Sequence, residues 1–429
     1  MPPMRLAVFE NLANSAYVLT KVLRRHGQPA DLLLDPFDRY VMSDPRWEDL
    51  DTELPTDGLD SAALPDCELP EWVRSRPAPV GRVRRGVHAL AAAPAMRREL
   101  RLAMRVAGPR GALAVLDRAW VVRTLASYDC VIAYGMGPAW AAFARVPCVA
   151  ATWGGDITML PFYDTGDWEG HEAVPLPEPR AERFAEAKLQ RLGYDRAGRI
   201  LINDPRFLPF AERLGHAGKS VRFGLFIDTE RYAPGPEVEL RRSLLGGADD
   251  GLIVFMPSRH DWYWKGTDRL LHGFAEAAEG REGAVLVCAG WGADLDRSKQ
   301  LIAELGIADR VRMLPYVMSK GRLRRYYRAA DVVADQFAVG SYGGASLEAM
   351  SCARPLLISL DGGRFDSPPP VVNVFEPQEI ARALQELFAD PEARAHAGDR
   401  AREWVVANHG PSLVQRTIDL CHDVTRPRA

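Results

Sequence analysis

Short apolar runs alternate along this chain with longer stretches whose apolar residues have helical spacing. Leu6 to Phe9 is the first apolar run, Ala16 to His26 has helical spacing and stops at Gly27, and Leu32 to Leu34 is the next run. Such an order predicts the strand, helix, strand unit of a parallel sheet. The pattern therefore predicts an α/β fold.

The same rhythm occurs in both halves of the chain, with a segment rich in proline and glycine at Asp228 to Pro236 between them. Apolar runs of the second half lie at 252–256, 284–289, 311–314, 332–334 and 356–358. We predict two Rossmann-like, doubly wound domains facing a central cleft. Residues 1–225 form the first domain and residues 226–410 the second, and a helix near 411–425 packs back on the first.

Composition excludes several classes of protein. A formal net charge of -3 over 429 residues offers no electrostatic case for nucleic-acid binding. The six cysteines have no metal-ligand spacing, which favours a reducing cytoplasm without a zinc site. The chain enters a strand pattern at once, which leaves no room for a signal peptide, and its longest uncharged run is too short to cross a bilayer. We expect a cytoplasmic protein without bound metal or tightly bound cofactor.

The stretch from 40 to 123 has opposite charges in its two halves. Tyr40 to Glu71 contains ten acidic residues against Arg46, and Arg74 to Arg123 contains twelve arginines against two acidic residues. One interpretation is that the two segments partly neutralise each other on a solvated surface. The other is an arginine-rich helical face that meets anionic lipid at the inner face of the membrane, or a phosphorylated acceptor. Its residues are Arg97, Arg98, Arg101 and Arg105.

Candidate chemistry concentrates between Asp331 and Ser359. An apolar run ends at Asp335, a loop with three glycines follows, and a helix begins near Ala345. The glycines are Gly340, Gly343 and Gly344. Glycines after a strand let backbone N–H groups approach an anion, and a helix start adds its positive dipole end. Glu348 then either complements the helix dipole or accepts hydrogen bonds from a ribose diol.

Two cations of the same half strengthen the anion-site interpretation. Arg259 follows the strand at 252–256, and Lys265 lies at a predicted helix start. Each alone is typical of surface charge. Together with the glycine loop and Glu348, they supply the convergent cations and N–H donors that a diphosphate requires.

These segments resemble, in the same order, those of the family-4 retaining nucleotide-sugar glycosyltransferases of the GT-B fold. Ile227 to Pro234 is similar to the family's interdomain linker, and Arg259 with Lys265 to its diphosphate-binding pair. Leu347 to Met350 resembles the end of its Glu-x7-Glu motif, whose second Glu binds ribose. The resemblance covers nearly all of residues 221 to 408.

The resemblance implies transfer with retention from a nucleotide-diphosphate sugar, with UDP favoured, to a small-molecule, glycan or lipid-linked acceptor. Arg259 and Lys265 would stabilise the leaving diphosphate. The implied donor-binding residues are Glu348, Ser341, Tyr342, Gly343, Gly344, Ala345, Gly290, Trp291, Tyr316 and Val317. On the acceptor or sugar side they are Asn14, Ser15, Trp153, Gly155 and Asp156.

Two departures from the family pattern leave alternatives open. Gly340 stands where the motif has its first Glu, and Trp153 stands where many members have a His. Ser341, Tyr342 or Asp156 could hold the sugar instead. The alternatives are a nucleotide-binding GT-B protein without transferase activity, or a coupling enzyme that uses an activated cyclitol or modified sugar.

Overall fold

A computed structural model describes residues 3–38, 40–56, 60–76, 93–166, 181–248 and 250–426. The chain divides into two compact units. The first comprises Met1–Arg39, Glu68–Gly224 and Leu413–Ala429, and the second comprises Tyr40–Cys67 and Leu225–Ser412.

The described strands are β1 Leu6–Phe9, β2 Ala30–Leu33, β3 Glu53–Leu54, β4 Val73–Arg74, β5 Cys130–Ala133, β6 Cys148–Ala151, β7 Arg199–Ile202, β8 Ser220–Arg222, β9 Leu252–Met256, β10 Ala284–Ala289, β11 Val311–Leu314, β12 Val317–Met318, β13 Val332–Ala334, β14 Leu356–Ile358 and β15 Val372–Asn373. The described α-helices are α1 Ser15–Arg25, α2 Pro45–Asp49, α3 Arg97–Asp117, α4 Ala119–Leu125, α5 Gly137–Ala144, α6 Gly155–Thr158, α7 Ala181–Arg196, α8 Leu208–Arg213, α9 Val238–Leu244, α10 Thr267–Ala278, α11 Leu295–Glu304, α12 Lys320–Ala329, α13 Gly344–Ser351, α14 Pro377–Ala389, α15 Pro391–His409 and α16 Ser412–Thr425.

The first unit is built on a parallel sheet of seven strands in the order β4-β2-β1-β5-β6-β7-β8. Leu6 of β1 lies opposite Ala30 on one side and Cys130 on the other. Every residue of β1, β5 and β6 is buried, as expected for parallel strands with both faces covered. The strand order reverses between β1 and β5, so the topological switch point of this sheet lies there.

The second unit repeats the arrangement with six parallel strands in the order β11-β10-β9-β13-β14-β15. All five residues of β9 are buried, and β13 pairs with it through Val332 and Val333. Here the order reverses between β9 and β13, so ligands are expected beyond the carboxyl ends of these two strands. Two Rossmann-like α/β units in one chain constitute the GT-B fold.

The segment Tyr40–Cys67, called the strap below, corrects the domain prediction. The sequence placed it in the first domain, but it folds with the second unit. Its strand β3 pairs antiparallel with β12. Its acidic side chains form ion pairs with Arg231 and with arginines of α12, so charge attraction and strand pairing together hold it there. That these acids also partly neutralise the arginine-rich segment stays a prediction, because residues 77–92 of that segment lie outside the described residues.

Several element boundaries also differ from the sequence prediction. The apolar run from Val221 to Ile227 also predicts a strand, but β8 ends at Arg222, and the N–H of Ile227 donates to the carbonyl of His409 at 3.0 Å. Helix α13 begins at Gly344, which places Glu348 in its second turn. Helix α16 belongs to the first unit, where Asp423 pairs with Arg199 at 2.5 Å.

The predicted arginine-rich face lies on α3, which a break at Gly108 (φ 66°) divides in two. Arg97, Arg98, Arg101 and Arg105 are all exposed. Residues 77–92 of the same basic segment lie outside the described residues. No helix in the described ranges is both long and apolar enough to cross a membrane.

Candidate active site

A buried carboxylate lies at the switch point of the second unit. Asp335 follows β13 directly and is only 2% exposed. It accepts hydrogen bonds from the hydroxyls of Ser258 and Ser346, each at 2.5 Å, and from Nζ of Lys265 at 3.2 Å. Asp335 therefore ties the end of β9, the start of α10 and the start of α13 to one point.

The charge of Asp335 is stabilised by these partners. Burial would raise its pKa, but Lys265 and the hydroxyls of Ser258 and Ser346 outweigh burial and hold the pKa below its ordinary value. Nζ of Lys265 also donates to Oε1 of Gln336 at 3.2 Å. Lys265 is thus fixed at the strand edge with a partly exposed ammonium group.

Arg259 is held less tightly. Its Nε and one terminal nitrogen donate to the same oxygen of Asp261, at 3.1 and 2.9 Å. The side chain remains 40% exposed. A ligand anion could recruit this guanidinium without breaking a buried ion pair.

The glycine loop between β13 and α13 leaves open space around Gly343, whose N–H donates to the hydroxyl of Ser346 at 3.4 Å. A Cβ added at Gly343 would meet nothing within 4 Å, and Gly340 adopts φ 71°, a conformation that favours glycine. The buried side chain of Gln336 donates to the carbonyl of Ser341 and fixes the loop from below. Ala345 lies partly exposed in the first turn of α13. A glycine loop followed by a helix start is typical of anion-binding sites, and anion binding here stays a prediction.

Tyr342 anchors this loop in an aromatic cluster. Its ring stacks on Phe365 at 5.2 Å between centroids and meets Trp404 and His409 edge-on. Nδ1 of His409 lies 2.8 Å from the carbonyl of Leu225, where the second unit resumes. Because the ring faces this cluster, Tyr342 positions the loop.

Glu348 is nearly buried and already has partners. One oxygen accepts a hydrogen bond from Nζ of Lys320, and the other accepts from the hydroxyl of Tyr327 at 3.1 Å. Lys320 is the first residue of α12, and sequence reasoning missed it because a lone lysine carries no motif. Each oxygen of Glu348 therefore accepts one hydrogen bond already, and a ribose diol would bind at the remaining acceptor positions of the carboxylate.

Four of the predicted donor-binding residues, called the base-side residues below, are assigned by the family resemblance to the side of the nucleotide base. They are Gly290, Trp291, Tyr316 and Val317, and they lie at or after the ends of β10 and β11. Gly290 and Trp291 follow β10, and the hydroxyl of Tyr316 is 2.8 Å from that of Tyr326. Val317 is buried in β12. Gly290, Trp291 and Tyr316 thus follow parallel strands of the same sheet as β13, at the carboxyl edge of that sheet.

The predicted acceptor-side residues lie in the first unit. Asn14 is completely buried, and its Oδ1 accepts from Nδ2 of Asn11 at 2.7 Å. Ser15 begins α1. Asn14 therefore stabilises the turn after β1, and its side chain does not face solvent.

Asp156 closes a turn with Trp153. Its Oδ1 accepts the N–H of Trp153 at 3.0 Å and that of Gly154 at 2.7 Å. Burial raises the pKa of Asp156 to about 6, although these hydrogen bonds oppose the shift. Gly155, which begins α6, is exposed.

Sequence reasoning missed Glu10, which lies at the switch point of the first unit. It follows β1 with φ 62°, and its Oε2 accepts the N–H of Met136, after β5, at 3.1 Å. Burial and then the charge of Asp35 raise its pKa well above the ordinary value, while Arg118 lowers it. A strained, non-glycine conformation at a strand end was the structural sign, and sequence does not show it.

Residues 241–404 match the family model of glycosyl transferases group 1. The chain is 31% identical over 266 residues to a D-inositol 3-phosphate glycosyltransferase of Geodermatophilus obscurus. The aligned region covers 57% of this chain and 54% of that protein. It is 26% identical over 240 residues to a GDP-mannose-dependent alpha-(1-6)-phosphatidylinositol monomannoside mannosyltransferase of Mycolicibacterium smegmatis, covering 52% of this chain and 61% of that one. The chain thus spans little more than half the length of these curated relatives.

Among solved structures, Alr3699/HepE of Anabaena in complex with UDP matches with a TM-score of 0.63. The match covers 98% of this chain and all of that one at 15% sequence identity. At this identity the likeness establishes the fold, and it agrees with the two sheets described above.

Proposed function

We propose that this protein is a retaining glycosyltransferase that moves a sugar from a nucleotide-diphosphate donor to an acceptor hydroxyl. The observation that carries the proposal is the set of anion-binding groups at the β9/β13 switch point. Arg259, Lys265, the N–H groups of the glycine loop and the start of α13 lie at one strand edge. The match of residues 241–404 to the group 1 family model supports the same interpretation.

In the proposed reaction the bond between the anomeric carbon and the diphosphate oxygen breaks. The acceptor oxygen forms its bond to the anomeric carbon on the same face, and its proton passes to the departing diphosphate. Arg259 and Lys265 stabilise the negative charge that develops on the diphosphate, and the loop N–H groups near Gly343 assist. The protein supplies positioning and electrostatics, and the nucleotide sugar is a co-substrate.

For the substrates, we favour UDP as the nucleotide and an anionic acceptor. The two curated relatives are named for inositol phosphate and phosphatidylinositol substrates. The exposed arginines of α3 in the first unit would suit a phosphate on such an acceptor. We place the protein in the reducing cytoplasm, because all six of its cysteines are free.

A second candidate function is nucleotide binding without transfer. Two observations favour it. Gly340 stands where a sugar-binding carboxylate is expected, and the ammonium group of Lys320 forms an ion pair with Glu348. A coupling enzyme that uses an activated cyclitol or modified sugar would share the diphosphate site. Calorimetric binding of UDP, GDP and dTDP, followed by a panel of nucleotide sugars, separates these functions from ordinary glycosyl transfer.

The decisive test is nucleotide release and product formation with that panel. We expect Arg259→Ala and Lys265→Ala each to lower the transfer rate about 10²–10³-fold, because each substitution removes a positive charge that stabilises the leaving diphosphate. Lys299→Ala is the matched control, since Lys299 is an exposed cation on α11 of the same unit. If either site variant keeps more than half the wild-type rate, the proposed function is wrong. Nuclear magnetic resonance of the product's anomeric carbon tests retention.

A further inference from the structure

If Glu348 binds the ribose, its position indicates where a nucleoside would lie, and this step rests on the proposed function. With the diphosphate at the β9/β13 switch point, the nucleoside could extend along the strand edge in either direction. Glu348 contacts Lys320 and Tyr327 of α12, and α12 directly follows β12. A ribose held by Glu348 therefore directs the base toward the β10 and β11 side of the sheet, where Trp291 follows β10 and Tyr316 lies between β11 and β12.

The strap covers this same place. Its strand β3 pairs with β12 residue by residue. Beyond that pair, the N–H of Ser319 donates to the carbonyl of Thr52 at 3.1 Å, and the N–H of Gly321 to that of Leu50 at 3.0 Å. The hydroxyl of Ser319 also donates to Leu50, at 2.7 Å. The strap is thus an added layer on the base-side edge of the second unit.

The strap also fills the space behind the base-side residues. Trp47 is 2% exposed and lies at the centre of a small apolar cluster. The other members are Val41, Leu54, Leu64 and Val317, and Trp291 packs against them. Since protein interiors are close-packed, the volume occupied by this cluster is closed to a ligand.

Ion pairs hold the strap to the basic face of α12. Asp51 lies 3.0 Å from Arg322 and 3.5 Å from Arg325. Glu48 is buried 3.8 Å from Arg324. The position of the strap is therefore fixed from both the apolar and the charged side.

We propose that the strap forms the base-side wall of the donor site and that Trp47, by filling the space behind Trp291, selects pyrimidine over purine nucleotides. A purine carries a second fused ring and needs room beyond that of a pyrimidine. The strap supplies selectivity from a segment whose sequence position is far from the donor-binding motifs.

The test compares calorimetric dissociation constants of UDP and GDP for the full chain. We expect the wild-type protein to bind UDP at least about 10-fold more tightly than GDP. Trp47→Ala should reduce this ratio at least about 5-fold by strengthening GDP binding, because a group larger than a methylene leaves the wall of the pocket. Trp47→Phe keeps most of the bulk and should keep most of the preference. Trp72→Ala, a change of equal size in the first unit, should leave the ratio unchanged.

The outcomes separate the two proposals. If the wild-type protein binds neither nucleotide, the proposed function fails. If it binds GDP as tightly as UDP, or if a folded Trp47→Ala keeps the wild-type ratio, the strap inference fails alone. Should Trp47→Ala not fold, hydrogen exchange of the wild-type protein decides. Saturating UDP is expected to slow exchange at residues 50–54, and unchanged exchange there overturns the inference.

Discussion

At the scale of single residues, the donor edge is organised by carboxylates that fix cations. Asp335 holds Lys265 at the β9/β13 switch point, and Glu348 holds Lys320 beside the predicted ribose position. Asp261 holds Arg259 in the same way but on the exposed side. In the proposed reaction a diphosphate would meet Lys265, whose position Asp335 already sets, and this is the preorganisation that electrostatic catalysis requires.

Glu48 is a buried carboxylate whose ionisation should weaken the folded state. Burial raises the pKa of Glu48 to about 7, and Lys320 only partly offsets this. Within the described residues its Oε1 accepts no hydrogen bond. Because its folded pKa lies above the unfolded value, the stability it contributes is complete below the unfolded pKa and is lost as pH rises through about 7.

We therefore expect Glu48→Gln to gain stability relative to wild type as pH rises from 5 to 8, by up to about 3 kcal/mol. Urea unfolding at both pH values measures this difference. Asp66→Asn, in a fully exposed side chain of the same strap, serves as the control. A Glu48→Gln difference that does not change with pH would contradict the interpretation.

The amino-acid sequence predicted those candidate site residues that are recognisable by their residue type and their spacing along the chain. Arg259, Lys265, the glycine loop and Glu348 were named from strand ends, glycines and the family resemblance, and the structure places them on one edge. Lys320 and Glu10 were not, because neither belongs to a local pattern. Their importance depends on contacts with residues 28 and 126 positions away in the chain.

At the scale of elements, the strap and α12 form one assembly. Helix α12 has five cations, Lys320, Arg322, Arg324, Arg325 and Arg328, and the strap is acidic. Gly321 lies in the first turn of α12 against the backbone of Leu50. A Cβ added at Gly321 would lie 2.2 Å from the carbonyl oxygen of Leu50. The close approach of strap and helix therefore requires glycine at this position.

Gly321→Ala should displace the strap and destabilise the protein by about 1–3 kcal/mol, because the backbone of Leu50 must move. We expect faster proteolysis within residues 40–67, measured by limited digestion and mass spectrometry of the fragments. The matched control is Gly218→Ala, where an added Cβ meets nothing within 4 Å. Equal cleavage rates in the two variants would show that the contact does not hold the strap.

At the scale of the whole molecule, two segments do not fold with the unit that their position in the chain would suggest. The strap leaves the first unit after Arg39 and returns at Glu68, and α16 returns to the first unit after Ser412. The second unit is thus assembled from two separate pieces of chain.

Native-state hydrogen exchange should show this assembly directly. We expect amides of Leu50 to Leu54 to exchange with the same opening free energy as the core of the second unit, because cooperative units follow packing and not chain order. Strand β1 of the first unit provides the comparison. Exchange of the strap together with β1, at a free energy different from that of β9, would contradict the division of the chain.

Periodicity and glycine placement are local properties, so the two α/β units, most strand and helix positions and the candidate donor motifs could be predicted from the amino-acid sequence. Strands β10 and β11 have the same bounds as the apolar runs at 284–289 and 311–314. Three features became visible only in the three-dimensional structure. The acidic strap folds with the second unit, Lys320 pairs with Glu348, and Glu10 lies at a strand end with a positive φ angle. These depend on long-range pairing of charges and backbone groups, which composition and spacing along the chain do not specify.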